Sequence, residues 1–283
     1  MLRRSYETLR AIQRIRKAGV KVVWVLHNLH PHEASLGIRL NWAAHRWVLC
    51  RLIDGFITLS PSTIAVVRKQ IPGLAETPAA FAWHPPYPIH LAAGRTHSRN
   101  EFGLPQNATV FAHFGFLRHY KGLESIVDAF RKLKGSQYRL LIGGQPKPDS
   151  YANEIAQLIA SDERITLIAH RLSDRELGAL LETSDIVVLP FKEYLHSGSI
   201  VHALCHRRTV LTPETPYASD LQQLVGADWI QTYTPPLTAE ILRSAHRPDG
   251  THCLDFLSTE ESGARLVEFF ESLLDRPVQR QRI

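Results

Sequence analysis

Cysteine is scarce in this chain: three in 283 residues, Cys50, Cys205 and Cys253, far apart and in no CxxC pair. That spacing argues against a disulfide framework or a cysteine-built zinc site and makes the cytoplasm the default compartment. Long apolar runs are lacking too. None reaches the roughly 18 residues that span a bilayer. The N-terminus is basic, but no apolar stretch follows it, so no secretory signal is read there. Aromatic-rich RNA-binding motifs and helix-turn-helix spacing are not found, which places nucleic acid last among the partners of a basic protein.

What is present is ordinary globular composition, 44% hydrophobic and 21% charged, with a formal charge of +6. A surplus of cations suits anionic lipid or phosphorylated small molecules. Seven runs read as strands: 21–26, 55–60, 109–115, 138–144, 164–170, 185–191 and 208–213. Most are continuous β-branched or aromatic stretches, the mark of parallel strands buried on both faces. Helical segments at 36–53, 61–70, 121–134, 150–161, 173–183, 198–207 and 258–275 separate or follow them. This alternation predicts an α/β protein with right-handed βαβ crossovers and doubly wound sheets.

Residues 72–107 are dense in Pro, Gly and polar side chains and read as a linker plus the entry to a second domain. The chain is therefore expected to divide into a partial first domain at 1–87, a fuller second domain at 88–257 and a C-terminal helix at 258–283 that packs back toward the first. The opening segment carries Arg3, Arg4, Arg10, Arg14, Arg16 and Lys17, with Leu2, Tyr6, Leu9, Ile12 and Ile15 at roughly helical spacing. Two readings stay open for it: a membrane-surface helix, or a helix packed on the sheet with a solvated basic face.

Two segments carry chemistry. In 113–130 a strand ends at Phe114, a glycine turns the chain, and Arg118 and Lys121 stand at the mouth of the next helix. Cations at a helix N-terminus, on the C-terminal edge of a parallel sheet, suit a diphosphate. In 189–213 a buried strand leads to Ser197-Gly198-Ser199, which opens a short helix. Either serine can cap that helix, and the glycine lets a ligand approach the backbone.

Together these segments resemble the GT-B glycosyltransferases of the group 1, family-4-like type, near the bacterial exopolysaccharide mannosyl- and glucuronosyltransferases. The matching stretches are GFLRHYKGLESIVDAF, YRLLIGGQP, RITLIAHRLSDRELGALLETSDIVVLPF and SGSIVHALCHRRTVLTP, in the family's order. The resemblance implies two Rossmann-like domains, the first of them incomplete here, and transfer of a sugar from a nucleoside-diphosphate sugar to a glycolipid or oligosaccharide acceptor. That donor is a co-substrate, and no cofactor or metal is expected. It further implies that Arg118, Lys121, Ser197, Gly198 and Ser199 hold the donor diphosphate, and that the backbone of His170, Arg171 and Leu172 meets the nucleotide base. His27, His32 and Glu33 follow the first strand and are the catalytic candidates, with Glu33 as general base. Retaining members carry two glutamates with seven residues between them; the matching positions here hold Tyr194 and His202. Asp185 matches a frequent family aspartate and also reads as a turn cap. A donor-binding subunit that needs a partner chain is the alternative function. The location implied is cytoplasmic, with a peripheral contact on the inner face of the membrane.

Overall fold

The structure is a computed structural model that describes residues 2–31, 35–90, 94–159, 162–192, 194–251 and 253–276. The chain forms two compact units, one from residues up to Pro85 together with those from Asp255 on, the other from Pro86 to Leu254.

The first unit opens with α1 (Leu2–Lys17), β1 (Val23–Val25), α2 (Leu36–Leu52), β2 (Gly55–Thr58), α3 (Pro61–Gln70) and β3 (Ala79–Phe81). Its sheet is parallel in the order β1-β2-β3. β2 lies in the middle and is buried along its whole length, whereas β1 is an edge strand that leaves Val25 exposed. α1 packs along α2.

The second unit runs α4 (Arg95–Glu101), β4 (Thr109–Phe114), α5 (Leu123–Lys132), β5 (Tyr138–Gly143), α6 (Tyr151–Ile159), β6 (Ile165–Ile168), α7 (Asp174–Thr183), β7 (Ile186–Val188), α8 (Gly198–Cys205), β8 (Thr209–Pro213), α9 (Pro216–Val225), β9 (Ile230–Tyr233) and α10 (Ala239–Ser244). All six strands are parallel, in the order β6-β5-β4-β7-β8-β9. Phe111, Leu140, Ile142, Ile186 and Val188 join Ile126, Val127 and Phe130 of α5 in one core. The final helix, α11 (Thr259–Leu274), returns to the first unit, where Phe269 and Leu273 pack on Ile57, Ala80 and Ala82.

All seven strand-like runs hold strands. The stretch 72–107, read as a linker and the entry to a second domain, also holds two elements not read there, β3 and α4. β3 is only three residues long, too short for a pattern. α4 is polar throughout, and the residues it buries are Ser98 and Arg99. A helix whose inner face is hydrophilic gives no apolar periodicity to read.

Candidate functional site

In the second sheet the first strand, β4, has β5 on one side and β7 on the other. The chain winds outward through β5 and β6, then returns to the far side of β4 to lay down β7, β8 and β9. The winding therefore reverses between β4 and β7. In open parallel sheets ligands bind at this reversal, beyond the C-terminal ends of the two strands. The segment after β4 contains Arg118 and Lys121, and the segment after β7 leads to Ser197, Gly198 and Ser199.

The two segments meet at Gly115. A Cβ built on this glycine would lie 3.6 Å from Lys121 Nζ and 4.0 Å from Ser199 Oγ. Gly115 has φ +107°, and its carbonyl presses against Gly144, where a Cβ would come within 1.7 Å of it. Only glycine permits that approach. It continues the β4–β5 pairing into the turns, where the Leu117 N–H donates to the Gln145 carbonyl and the Lys147 N–H to the Leu117 carbonyl, both at 2.9 Å.

Lys121 ends a single 3₁₀ turn, His119–Lys121, and is only 9% exposed. Its ammonium sits over the Phe191 ring, 4.3 Å from the centroid. Burial, then the Arg118 charge, lowers its pKa to about 8. Among the described residues neither Lys121 nor Arg118 is paired with a carboxylate in a salt bridge. Across from them Ser197 occupies the N-cap of α8, but its hydroxyl makes no capping bond, a correction to the expected cap. The first-turn N–H groups of α8 thus keep no side-chain acceptor on that hydroxyl. Lys121 Nζ and Ser199 Oγ thus lie beside Gly115 at the uncapped start of α8, with the Arg118 charge near enough to depress the Lys121 pKa; cations beside a helix N-terminus suit an anion.

His113, one strand residue before Phe114, was not singled out in the sequence. It is fully buried, and its Nδ1 is 2.9 Å from the Val188 carbonyl. Burial, then the Lys121 charge, pushes its pKa down to about 3, so the ring is neutral. Nδ1 therefore carries the proton and donates it to that carbonyl. A neutral ring beneath the site leaves its positive charge to Lys121 and Arg118. The polar signal that could have found His113 was a histidine inside an otherwise apolar buried strand.

The remaining candidates fall as follows. His170 is exposed, with Nε2 2.8 Å from Glu176 Oε1, while Glu176 also closes the capping box of α7 with Ser173. Arg171 is exposed, and Leu172 packs against Gly143. His27 is exposed just beyond β1 in the first unit. His32 and Glu33 lie outside the described residues. The two positions where retaining relatives carry glutamate are absorbed by packing. The Tyr194 hydroxyl is 3.1 Å from Thr212 Oγ1 and accepts from Thr215 Oγ1 at 3.1 Å. His202 stacks flat on Tyr87, centroids 4.4 Å apart, with Phe114 edge-on at 5.7 Å.

A cavity of about 550 Å³ lies in the first unit, before the strands rather than after them, with Arg16, Lys21 and Asp54 in its wall. Its cations already have work. Arg16 donates to the Leu52 carbonyl at the end of α2 and pairs with Asp54 at 3.4 Å, and Lys21 donates to the Arg276 carbonyl just past α11. Cations at helix C-termini offset the negative end of the dipole and do not make an anion site.

Residues 94–200 match the family described as glycosyl transferases group 1. The chain is 28% identical over 235 residues to a GDP-mannose:glycolipid 4-beta-D-mannosyltransferase of Xanthomonas campestris pv. campestris, covering 82% of this chain and 61% of that relative's length. Among solved structures it is similar to HepE of Anabaena in complex with UDP, with a TM-score of 0.68 at 18% identity, over 95% of this chain and 75% of that one. It is also similar to WaaG, a glycosyltransferase involved in lipopolysaccharide biosynthesis, with a TM-score of 0.63 at 15% identity, over 94% and 77% of the two chains. Residues 94–200, within the second unit, are thus similar to the group 1 glycosyltransferases, in a chain whose fold is that of the GT-B glycosyltransferases.

Proposed function

We propose that this protein is a hexosyltransferase that moves a sugar from a nucleoside-diphosphate sugar to a glycolipid or polysaccharide acceptor. The observation that carries the reading is Lys121, in no salt bridge with a carboxylate among the described residues, whose Nζ shares the Gly115 turn with Ser199 at the uncapped start of α8 while Arg118 is near enough to depress its pKa. In this reading Arg118, Lys121 and the backbone of Ser197, Gly198 and Ser199 hold the diphosphate. The backbone of 170–172 meets the base. Glu33, with His27 and His32, serves the acceptor hydroxyl. The relative's name specifies a GDP-mannose donor and a glycolipid acceptor, and HepE was solved with UDP, so both nucleotides are worth testing. The expected result is that the full chain binds UDP or GDP in calorimetry without added metal. No heat and no thermal shift with either would remove the reading. The place of β1 at the edge of its sheet, with no further strand paired to it among the described residues, favours a second reading, a donor-binding subunit that works with a partner chain; nucleotide binding without transfer by this chain alone would support it.

The site should also read pH. In the free protein Lys121 loses its proton near pH 8. A bound diphosphate favours the ammonium and raises that pKa, so binding takes up a proton once the pH exceeds about 8. Affinity should be level from pH 6.5 to 8, then fall by up to about tenfold per pH unit. Titrations to pH 9.5 measure it, and a flat profile would count against ammonium contact with the anion.

A further inference from the structure

We infer that a pocket at the entry end of the second sheet binds the phosphoryl group of a small anion between Arg95, Arg99 and Arg247. The cavity has a volume of about 420 Å³, and Thr109 and Ile186, the first residues of β4 and β7, stand in its wall. It lies wholly within the second unit, at the opposite end of those strands from Lys121. The pocket is therefore separate from the nucleotide site, and the inference does not rest on the transferase reading.

The wall holds three arginines and one carboxylate, Asp185. Arg95 and Arg99 share that carboxylate, one on each oxygen. A fourth guanidinium stands beside them: Arg208 donates to the Ser184 carbonyl at 3.1 Å, and Arg95 donates to the same oxygen at 3.5 Å. The next carboxylate, Glu182, accepts from the Gly94 N–H and the Ser98 hydroxyl. Four guanidiniums against two carboxylates leave a local charge of +2. His246, also in the wall, pairs with exposed Asp228 at 3.4 Å and stands outside this count. Part of the crowding is ordinary, since Arg95 and Arg208 sit on the C-cap carbonyl of α7, where cations offset the helix dipole. Arg247 is different. It is exposed in the pocket wall and has no hydrogen bond or ion pair among the described residues. Burial lowers the pKa of Arg99 and takes that of Arg208 down to about 10, and the charges of Arg95 and Arg247 push both in the same direction against Asp185. Arginine keeps its proton at neutral pH, so such crowding is relieved by an anion and not by proton loss. Arg99, 1% exposed, also leaves its Nε without an acceptor among the described residues. Guanidinium forks take two oxygens of a phosphoryl group at once, and a dianion matches the surplus charge.

The test is calorimetry of the full chain with inorganic phosphate and with glucose 1-phosphate at fixed ionic strength. It is run on the wild type and on Lys121→Met, whose nucleotide site lacks its buried cation. Phosphate should bind both proteins. Arg247→Glu sets a carboxylate in the wall at an exposed position, so it should keep its circular dichroism. In the Lys121→Met protein this change should weaken phosphate binding at least about tenfold, and in the wild type it should leave nucleotide affinity as it was. Arg243→Glu is an exposed change of the same charge outside the pocket wall and should leave phosphate affinity nearly unchanged. Tighter binding of glucose 1-phosphate would place a phosphorylated sugar in the pocket, and equal binding a bare phosphate. No heat with either probe, unchanged phosphate affinity in Arg247→Glu, or an equal loss in Arg243→Glu would overturn the inference. So would abolition of phosphate binding by Lys121→Met alone, because the anion would then have occupied the nucleotide site.

Discussion

Lys121→Met is expected to lower sugar transfer by about 10²–10³, equivalent to about 2.7–4 kcal/mol of transition-state stabilisation, with the fold unchanged or slightly more stable. Negative charge grows on the leaving diphosphate as the glycosidic bond breaks. A fixed cation there helps the transition state more than the ground state, so turnover falls and not only affinity. Methionine keeps an unbranched stem over the Phe191 ring, so little packing is lost. The ammonium itself is buried without a carboxylate and has its pKa depressed by that burial, so removing it relieves a desolvation cost. Lys121→Ala should lose the same activity but also some stability, because it empties the space beside Phe191. Arg118→Ala is the control for the second cation. It should act like Lys121→Met if the guanidinium reaches the diphosphate, and only raise the Lys121 pKa if it does not, since Arg118 is one cause of the lowering. Transfer assays and thermal melts on the three variants decide. Near wild-type turnover of Lys121→Met would remove the central residue from the proposed site.

How much of this was legible beforehand varies with the physics. β4, β5 and β7 are buried on both faces, and a strand buried on both faces is an unbroken apolar run, so their places could be read directly. The glycine after β4 and the cations beyond it marked the anion loop for the same reason: few other arrangements place a tight turn and two cations between a buried strand and a helix. Three features could not be read. Lys121 looks like a solvated loop residue, and only the fold tucks it over Phe191. The contact of Gly115 with Gly144 joins two turns 29 positions apart, and either glycine alone signals only a turn. β9 and α9 are not among the runs read from the sequence: Ile230–Tyr233 is only four residues long with a half-buried middle, and α9 opens on Pro216 as α3 opens on Pro61, a start signal that the reading used only for α3.

Asp185 separates a fold residue from a site residue. Asp185→Ala should cost about 3–5 kcal/mol of stability, a fall in Tm of about 6–20 °C, while the folded protein binds nucleotide as before. Asp185 stands at the start of β7, the end of the strand away from Lys121. One carboxylate oxygen accepts from the Val110 N–H at 2.9 Å and from Arg99 Nη2 at 3.0 Å, and the other pairs with Arg95. The Asp185 N–H in turn donates to the Val110 carbonyl at 2.8 Å, so the side chain and backbone together lock the entry of β7 beside β4. Arg99 is 1% exposed, and burial lowers its pKa while Asp185 opposes that lowering. Alanine leaves this guanidinium buried with carbonyls of Pro105, Gln106 and Thr183 but no countercharge. Breaking a buried pair from one side is the costly way to break it, since the remaining charge keeps its desolvation penalty. Asp185→Asn keeps an oxygen for Val110 and should lose less. Leucine or methionine in place of both Arg99 and Asp185 should recover much of the loss. Chemical denaturation measures the stability and calorimetry the nucleotide. A drop in nucleotide affinity at unchanged stability would mean that Asp185 serves the site at the far end of the sheet and not the entry of β7.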